Sequence, residues 1–500
     1  MKRSVLLLFL IILVLTSCSN DFVAPYEGAS PNGTVAEAAL DSESLAVTVI
    51  ESGQQEPTDE SSVSIEFLWP ESSLLREDIL YDFDFMMKWM EETFPFFGVL
   101  ERRFGLDVRE LARDTREIIE HYPYSLSEFA AQLGLAKDDL PPLDANVFWG
   151  ILQGEFFRHF GVYVHGDAPP ADWTHLVLRT PRSEISAEFY RDKPQIERLI
   201  FQYSQELHEF TFRSAQLRGS NYILELTPDG RFPPNMTREI LVEDYIAYIR
   251  IRTFNFDLME LRRQATLLNR FYREIQDLSH LIIDIRGAPG GRNLVSYQLI
   301  MEPLSRGMEG LSDVPMYVFY RRGDLGHIMA SENFYAQKMG HNYIFVESDR
   351  LMTVYDLMDS SPLLNLNEND IDELAYGFRM NISLENNIMS MPLGFGNYPF
   401  GGQIWLLIDE GNFSHAAHFA FEAKGSGFAT LVGSPVGGSF THDHALQIEL
   451  PNSGIIVQWD TNYLTDAYGR ALNEFPTEPH YFNRPGMDAL ETVLAIIEER

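Results

Sequence analysis

The sequence predicts an α/β core of parallel strands covered by helices, because strand and helix patterns alternate along the second half of the chain. Tyr245 to Ile251 and Leu281 to Ile285 are mostly apolar, as expected of buried strands. Leu258 to Gln276 lies between them and repeats its apolar residues at helical spacing. The alternation then continues with a helix over Leu294 to Met301, a strand over Ile404 to Ile408, a helix over Ser414 to Lys424 and a strand over Ala429 to Val432.

The C-terminal end of this core is predicted to contain a hairpin. Ala445 to Leu450 and Gly454 to Trp459 are strand-like, and the turn residues Pro451 to Gly454 connect them. We therefore assign residues 241–500 to the α/β core, with an insertion at 303–400 that includes a strand-like segment at Met316 to Tyr320.

Two regions are expected to precede the core. Residues 66–165 form a helical unit, since Ile79, Phe83 and Met86 begin an apolar pattern at helical spacing. Residues 166–240 mix strand and helix signals and are assigned as a connecting α/β region.

The first residues are typical of an exported lipoprotein. A charged start is followed by an apolar run too short to span a membrane, which predicts a signal peptide over residues 1–17. Leu15 to Cys18 resembles a lipobox, which implies a lipid on Cys18. Residues 18–65 are rich in small and polar residues and are predicted to be a disordered tether. The expected location is the exported side of the cell envelope, with the lipid as membrane anchor.

Composition excludes several classes of protein. The 500 residues carry 73 acidic and 38 basic side chains, and a net charge of −35 argues against a nucleic-acid partner. A hydrophobic fraction of 45% excludes global disorder. Cys18 is the only cysteine, so no disulfide forms within one chain.

Two turns that follow predicted strands have residues suited to chemistry. The first is the glycine-rich turn Gly287 to Gly291, in which paired glycines let backbone N–H groups approach a ligand. In the second, Ser414 opens a helix of small residues, where the helix dipole and nearby N–H groups would favour a nucleophile. Serine is also a common helix cap, and this segment by itself favours the cap.

Four motifs in order resemble the tail-specific, or C-terminal processing, protease family, in particular the branch with tricorn protease and interphotoreceptor retinoid-binding protein. They are IDIRGAPGG at 283–291, FSHAA at 413–417, ATLVGSPVGG at 429–438 and LPNSG at 450–454. The resemblance implies a crotonase-like α/β core and polypeptide partners.

The resemblance also implies roles for individual residues. Ser414 takes the place of the nucleophile, and the N–H groups of His415 and of Gly290 or Gly291 take the oxyanion-hole positions. Glu474 matches a glutamate that orients the catalytic group in the tricorn-like branch, although an exposed carboxylate in so acidic a chain is the simpler explanation.

The general base is the weak point of the resemblance. Ser439 stands where one branch has its catalytic lysine, and Val162 stands where the other has its histidine. Valine transfers no proton, so the base must come from a neighbour, and His159 is our first candidate with His165 the alternative.

Other histidines have simpler explanations. His418 lies one turn after Ser414 on the same helix face, where a histidine more often packs. His442 and His444 flank Asp443, but two histidines without a third ligand favour a solvated loop. The sequence indicates no metal and no cofactor.

We therefore predict a serine-type peptidase that faces outward from a membrane and cleaves polypeptides through an acyl-enzyme. The alternative is a protein that keeps the protease fold without its chemistry and binds peptides or apolar ligands. A third hypothesis, a surface adhesin or scaffold, rests only on the lipid anchor and the acidity.

Overall fold

The structure is a computed structural model. It describes residues 74–127, 140, 142–161, 163–168, 178–179, 201–202, 234–256, 258–305, 308–340, 344–361, 363–383, 398–438, 440–441 and 445–500. Several predictions lie outside these residues, namely the signal peptide over 1–17, Cys18, the tether over 18–65, most of 166–240, and Val162, Ser439, His442 and His444.

The N-terminal part of the described chain is helical. Its helices are α1 (Arg76–Thr93), α2 (Phe97–Phe104), α3 (Val108–His121), α4 (Ala145–Ile151) and α5 (Arg158–Phe160), with a 3-10 turn at Tyr124–Leu126 and a π-helical segment at Leu152–Phe157. The apolar pattern explains α1, because Ile79, Phe83 and Met86 are buried on one face. Asp107 begins α3 by accepting hydrogen bonds from the N–H groups of Arg109 and Glu110.

A six-stranded sheet forms the centre of the C-terminal part. Its strands, in spatial order, are β16 (Tyr481–Phe482), β12 (Thr430–Gly433), β11 (Gln403–Ile408), β6 (His280–Asp284), β5 (Ile246–Ile251) and β4 (Met236–Val242). All neighbours pair in parallel except β4, which is antiparallel to β5. The predicted alternation is confirmed, and the fold class is α/β.

Helices cover both faces of this sheet, which explains why its central strands are mostly apolar. They are α6 (Leu258–Ile275), a π-helical segment (Val295–Met301) continued by α7 (Glu302–Ser305), α11 (His415–Ser426) and α12 (Ala489–Glu498). On one face, Val493 and Ile496 of α12 pack on Trp405 and Ile282. The segment predicted as a helix from Leu294 is thus π-helical over most of its length.

The insertion contributes most of a second, antiparallel sheet. Its elements are β7 (Val314–Arg321), α8 (Asp324–Gly340), β8 (Ile344–Val346), β9 (Met352–Thr353), α9 (Val354–Ser360), α10 (Glu368–Ile371) and β10 (Leu374–Ile382). β15 (Tyr463–Asp466) completes this sheet by pairing with β7. The predicted strand at Met316 to Tyr320 is confirmed as part of β7.

The predicted hairpin is confirmed as β13 (Leu446–Glu449) and β14 (Ile456–Trp459). A two-residue strand, β1 (Gly166–Asp167), adds to β14 in antiparallel register. A separate short pair joins β2 (Leu178–Arg179) to β3 (Phe201–Gln202). Among helices of the described ranges, none is both long and apolar enough to span a membrane.

Candidate active site

The two turns singled out in the sequence meet at one edge of the six-stranded sheet. β6 and β11 are parallel neighbours, so the turns that follow them leave the sheet side by side. The Gly287 N–H donates to Asp409 Oδ1 at 2.7 Å, and Asn412 Nδ2 donates to the Ile285 carbonyl at 2.5 Å. Asn412 is fully buried. These bonds hold the glycine-rich turn against the turn that leads to Ser414.

Asp409 has an unusual environment for a carboxylate. Burial raises the pKa of Asp409 to about 6, and the nearby charges of Glu410 and Asp284 act in the same direction. The N–H groups of Gly287 and Gly411 oppose this by stabilising the charged form.

Ser414 has a strained backbone and no capping role. Its φ of 53° and ψ of −129° correspond to the first central position of a type II′ turn, which glycine dominates. Its side chain makes no capping hydrogen bond to α11, although it occupies the N-cap position. Its N–H donates to the Gly438 carbonyl at 3.1 Å. Strain of this kind is often found at functional sites, and here it holds a half-buried serine in the turn between β11 and α11.

Gly290 lies directly against this serine. A Cβ on Gly290 would lie 2.8 Å from Ser414 Cβ and 2.9 Å from the His415 nitrogen, and the φ of Gly290 is +100°. Only glycine fits here, so its backbone approaches the serine closely. A Cβ on Gly291 would instead collide with the backbone of Phe254, which places Gly291 on the far side of the turn.

His415 begins α11, and its backbone nitrogen therefore lies at the positive end of the helix. Its ring is buried and meets Ser296, with 2.5 Å between His415 Nε2 and Ser296 Oγ. This contact fixes the first turn of the helix beside Ser414.

A histidine–aspartate pair lies beside the serine turn. His165 Nδ1 is 2.9 Å from Asp460 Oδ1 and 3.0 Å from Asp460 Oδ2. The His165 N–H donates to Asp460 Oδ2 at 2.9 Å, and the Asp460 N–H donates to the His165 carbonyl at the same distance. The two residues adjoin the β1–β14 pair, in which Gly166 lies opposite Trp459. Backbone and side-chain contacts thus fix this pair together.

The His165 ring faces the site and is oriented by its partner. Its centroid lies 5.0 Å from that of Phe413, the residue before Ser414. Its side chain is 12% exposed, while the side chain of Asp460 is fully buried. A carboxylate accepts hydrogen bonds only, so the Nδ1 atom must carry the proton and Nε2 is left as the basic nitrogen.

The model of peptidase family S41 matches residues 245–481. Over this range, the S41-like region, the chain is similar to peptidase family S41. All four motifs lie within it, which confirms the family resemblance expected from them. The homology supports a serine-type hydrolase. No curated protein matches the sequence.

Solved structures similar to the chain include a lipoprotein from Streptococcus agalactiae, at 11% identity and a TM-score of 0.40 over 88% of this chain and 100% of that one. Mature CPAF complexed with lactacystin is 13% identical, with a TM-score of 0.42 over 82% of this chain and 94% of the other. The photosystem II D1 C-terminal processing protease is 12% identical, with a TM-score of 0.28 over 50% and 49%. No functional conclusion follows from likenesses at these TM-scores.

Glu474 lies in the S41-like region, and its carboxylate forms an ion-pair network with Arg102. Arg102 Nε and Nη2 donate to its two oxygens at 2.9 and 2.6 Å. The same guanidinium donates to both oxygens of Asp370, at 3.0 and 2.7 Å. Glu474 therefore connects the N-terminal helices to the S41-like region, and its predicted role in orienting the catalytic group stays a prediction.

The histidines considered in the sequence lie in different environments. His159 is exposed on α5. Partial burial of its ring lowers its pKa, the charge of Arg158 lowers it further, and the charge of Glu155 opposes both effects. His418 is buried in the S41-like region. Burial lowers its pKa to about 3, and electrostatic interactions with His415 and His165 act in the same direction. His418 thus stays neutral and packs edge-on against Phe440.

Sequence reasoning missed three residues of this site. Asp460 is the partner of His165, and Asp409 and Asn412 join the two turns. Asp409 and Asn412 could have been found, because polar residues directly after a buried strand are a recognised signal at a sheet edge. Within the described part of the chain, no group of three histidine, cysteine or acidic residues could hold a metal ion.

Proposed function

We propose that this chain is a serine-type peptidase in which Ser414, His165 and Asp460 cleave polypeptides through an acyl-enzyme. The observation that carries the proposal is the His165–Asp460 pair, whose ring lies against the residue before a strained serine. A nucleophile, a base and a residue that orients the base are the three parts that serine catalysis needs.

In the first step, Ser414 Oγ attacks the carbonyl carbon of the substrate and its proton passes to His165 Nε2. The Asp460 carboxylate stabilises the imidazolium that results. The substrate oxygen becomes negative and accepts hydrogen bonds from the N–H groups of His415 and Gly290, at the positive end of α11. The distances around Gly290 support its choice over Gly291 for this role.

In the second step, the tetrahedral intermediate collapses and the C–N bond breaks. The leaving amine takes the proton from His165, and the acyl group remains on Ser414 as an ester. Water then loses a proton to His165 and attacks the ester, which releases the acid and restores the serine.

We assign the base to His165 in preference to His159. Val162 and Ser439 motivated the alternative of a degenerate binding protein, because they occupy the base positions of the two family branches. His165 lies three residues after Val162 and is oriented by the buried carboxylate of Asp460. It can therefore serve as the base although Val162 and Ser439 cannot.

Several finer assignments complete the proposal. The four motifs support a place in the tail-specific branch and a crotonase-like core, with chain termini or unstructured polypeptides as substrates. The order of charged start, apolar run and Cys18 supports a lipid anchor that holds the domain at the exported side of the envelope. Labelling with a fatty acid that is lost in Cys18→Ala would test the anchor.

A fluorophosphonate probe tests the catalytic assignment. Wild type and His159→Gln should be labelled, whereas Ser414→Ala and His165→Gln should not. Loss of labelling in His159→Gln with retention in His165→Gln would reverse the choice of base. A wild type that is never labelled at any pH, but binds peptides by calorimetry, would favour the degenerate binding protein.

A further inference from the structure

Arg103 lies close to the serine turn and has no role in the chemistry described so far. It is near the C-terminal end of α2 and is half-buried. Its Nη1 donates to the Asn473 carbonyl at 2.6 Å, and its Nη2 donates to the Gly437 carbonyl at 3.5 Å. Nη1 also lies 3.4 Å from the position that a Cβ on Gly438 would occupy.

Gly438 connects Arg103 to Ser414. Its carbonyl accepts the Ser414 N–H at 3.1 Å, and it pairs with Phe413 in a short parallel bridge. With standard backbone dimensions, these contacts put the guanidinium within about 10 Å of the Ser414 nitrogen. An extended polypeptide covers that distance in about three residues.

Among the described residues, the Arg103 guanidinium contacts carbonyl groups and the Phe104 ring, whose centroid lies 4.7 Å from Cζ, but it pairs with no carboxylate. Its neighbour Arg102 pairs with two carboxylates, Asp370 and Glu474. In the part of the chain that the structure describes, Arg103 forms no ion pair, and its hydrogen bonds go to uncharged carbonyls. Burial lowers the pKa of Arg103, and electrostatic interactions with Tyr163 and Glu474 offset this only in part. Burial of a cation without an anion is costly, and a bound anion would relieve that cost.

We propose that Arg103 binds a carboxylate of the polypeptide substrate, within about three residues of the bond that Ser414 attacks. The guanidinium has N–H groups beyond the two used by Asn473 and Gly437, in the fork geometry that suits a carboxylate. Acidic side chains and a free C-terminus both present this group. The inference rests on the proposed function, since it specifies the substrate of the same site.

Peptide substrates that differ in one carboxylate test this inference. One pair has Glu or Gln at a chosen position within about three residues of the cleaved bond, and another ends in a free acid or an amide. Wild type should cleave the carboxylate member with a kcat/KM about 10- to 100-fold higher, mainly through KM. The pair that shows this preference identifies the source of the carboxylate.

Variants separate recognition from structural support. Arg103→Gln should abolish the preference, Arg103→Lys should keep part of it, and Arg103→Glu should reverse it in favour of a Lys-containing peptide. Arg113→Gln removes an exposed arginine from α3 and should leave the preference unchanged. A purely structural role would lower all rates alike. The inference is overturned if the Glu-to-Gln ratio is the same in wild type, Arg103→Gln and Arg103→Glu.

Binding distinguishes this inference from the proposed function. If wild type cleaves no peptide and takes no fluorophosphonate, calorimetry on Ser414→Ala still reports recognition. Ser414→Ala should bind the carboxylate peptide more tightly than the peptide without the carboxylate. If the double variant Ser414→Ala, Arg103→Gln loses this difference, the inference stands and the peptidase is rejected. Cleavage without any carboxylate preference would reject the inference and keep the peptidase.

Discussion

Asp460→Asn is the change that probes the His165–Asp460 pair most sharply. Asp460 Oδ2 accepts the His165 N–H at 2.9 Å, and Oδ1 accepts from His165 Nδ1 at 2.9 Å. Both carboxylate oxygens lie within 3.0 Å of Nδ1, and in asparagine an NH₂ group replaces one of them. If the oxygen serves the backbone N–H, the amide NH₂ faces Nδ1 and forces the ring proton onto Nε2. His165 Nε2 then carries a proton and cannot take the proton of the serine.

The expected effect is therefore on kcat and not on binding. A wrong tautomer of this kind costs about a thousandfold to ten-thousandfold in kcat, which is about 4 to 5.5 kcal/mol of activation free energy. KM should change little, because Asp460 is fully buried and does not reach the substrate. The assay is hydrolysis of a fluorogenic peptide, with thermal melting measured in parallel.

Asp82→Asn is a matched control for the loss of a buried carboxylate. Asp82 is fully buried and uses both oxygens, with the Asn452 N–H at 2.9 Å and the Ser453 N–H at 2.7 Å. This variant should lose stability and keep its kcat. Our reasoning is refuted if Asp460→Asn retains the kcat of wild type, or loses no more activity than Asp82→Asn.

Three further changes test other contacts. Gly290→Ala should lower kcat by about a hundredfold or more in peptide hydrolysis, because its Cβ would displace an oxyanion donor beside Ser414, and an active variant would exclude Gly290 from that role. Glu474→Gln should lower the melting temperature, because it weakens a bidentate pair with Arg102. A loss of kcat at an unchanged melting temperature would instead indicate a catalytic role for Glu474. Burial raises the pKa of Glu422 to about 8 from 4.5, so wild type should lose stability as pH rises from about 4.5 through 8. In Glu422→Gln this loss should be absent from melting curves, and identical pH profiles would count against a buried neutral carboxyl.

Local patterns predicted the elements of the core well. β5, β6, β11, β12 and the hairpin all lie within two residues of their predicted positions, because their apolar runs are bounded by turn residues. The place of Ser414 at the start of a helix also followed from the sequence. The sequence did not show whether that serine caps the helix, because this depends on the φ of 53° that the surrounding turn imposes on Ser414.

The catalytic base shows where sequence reasoning ends. His159 and His165 flank the same degenerate motif, and no local pattern ranks one above the other. The choice depends on Asp460, which lies 295 residues away along the chain. The two are brought together by β1, a strand of two residues that has no recognisable pattern. Nonlocal pairing of this kind is set by the tertiary fold.

The ion pair of Glu474 is a second contact that no local pattern predicts. The family motif implies a role for Glu474 in the site, but its partner Arg102 lies 372 residues earlier along the chain. The insertion is another example, because its strands complete a sheet with β15 that only the folded chain reveals. The antiparallel strand β7 was predicted in isolation, and its partners were not.

The most direct test of the central claim is to trap the acyl-enzyme. Wild type mixed with an activated peptide ester and quenched in acid should yield, by mass spectrometry, a peptide with the acyl group on Ser414. His165→Gln should yield none, because the serine keeps its proton. Peptide cleavage without any adduct on Ser414, or with an adduct on another residue, would contradict the assignment of Ser414 as the nucleophile.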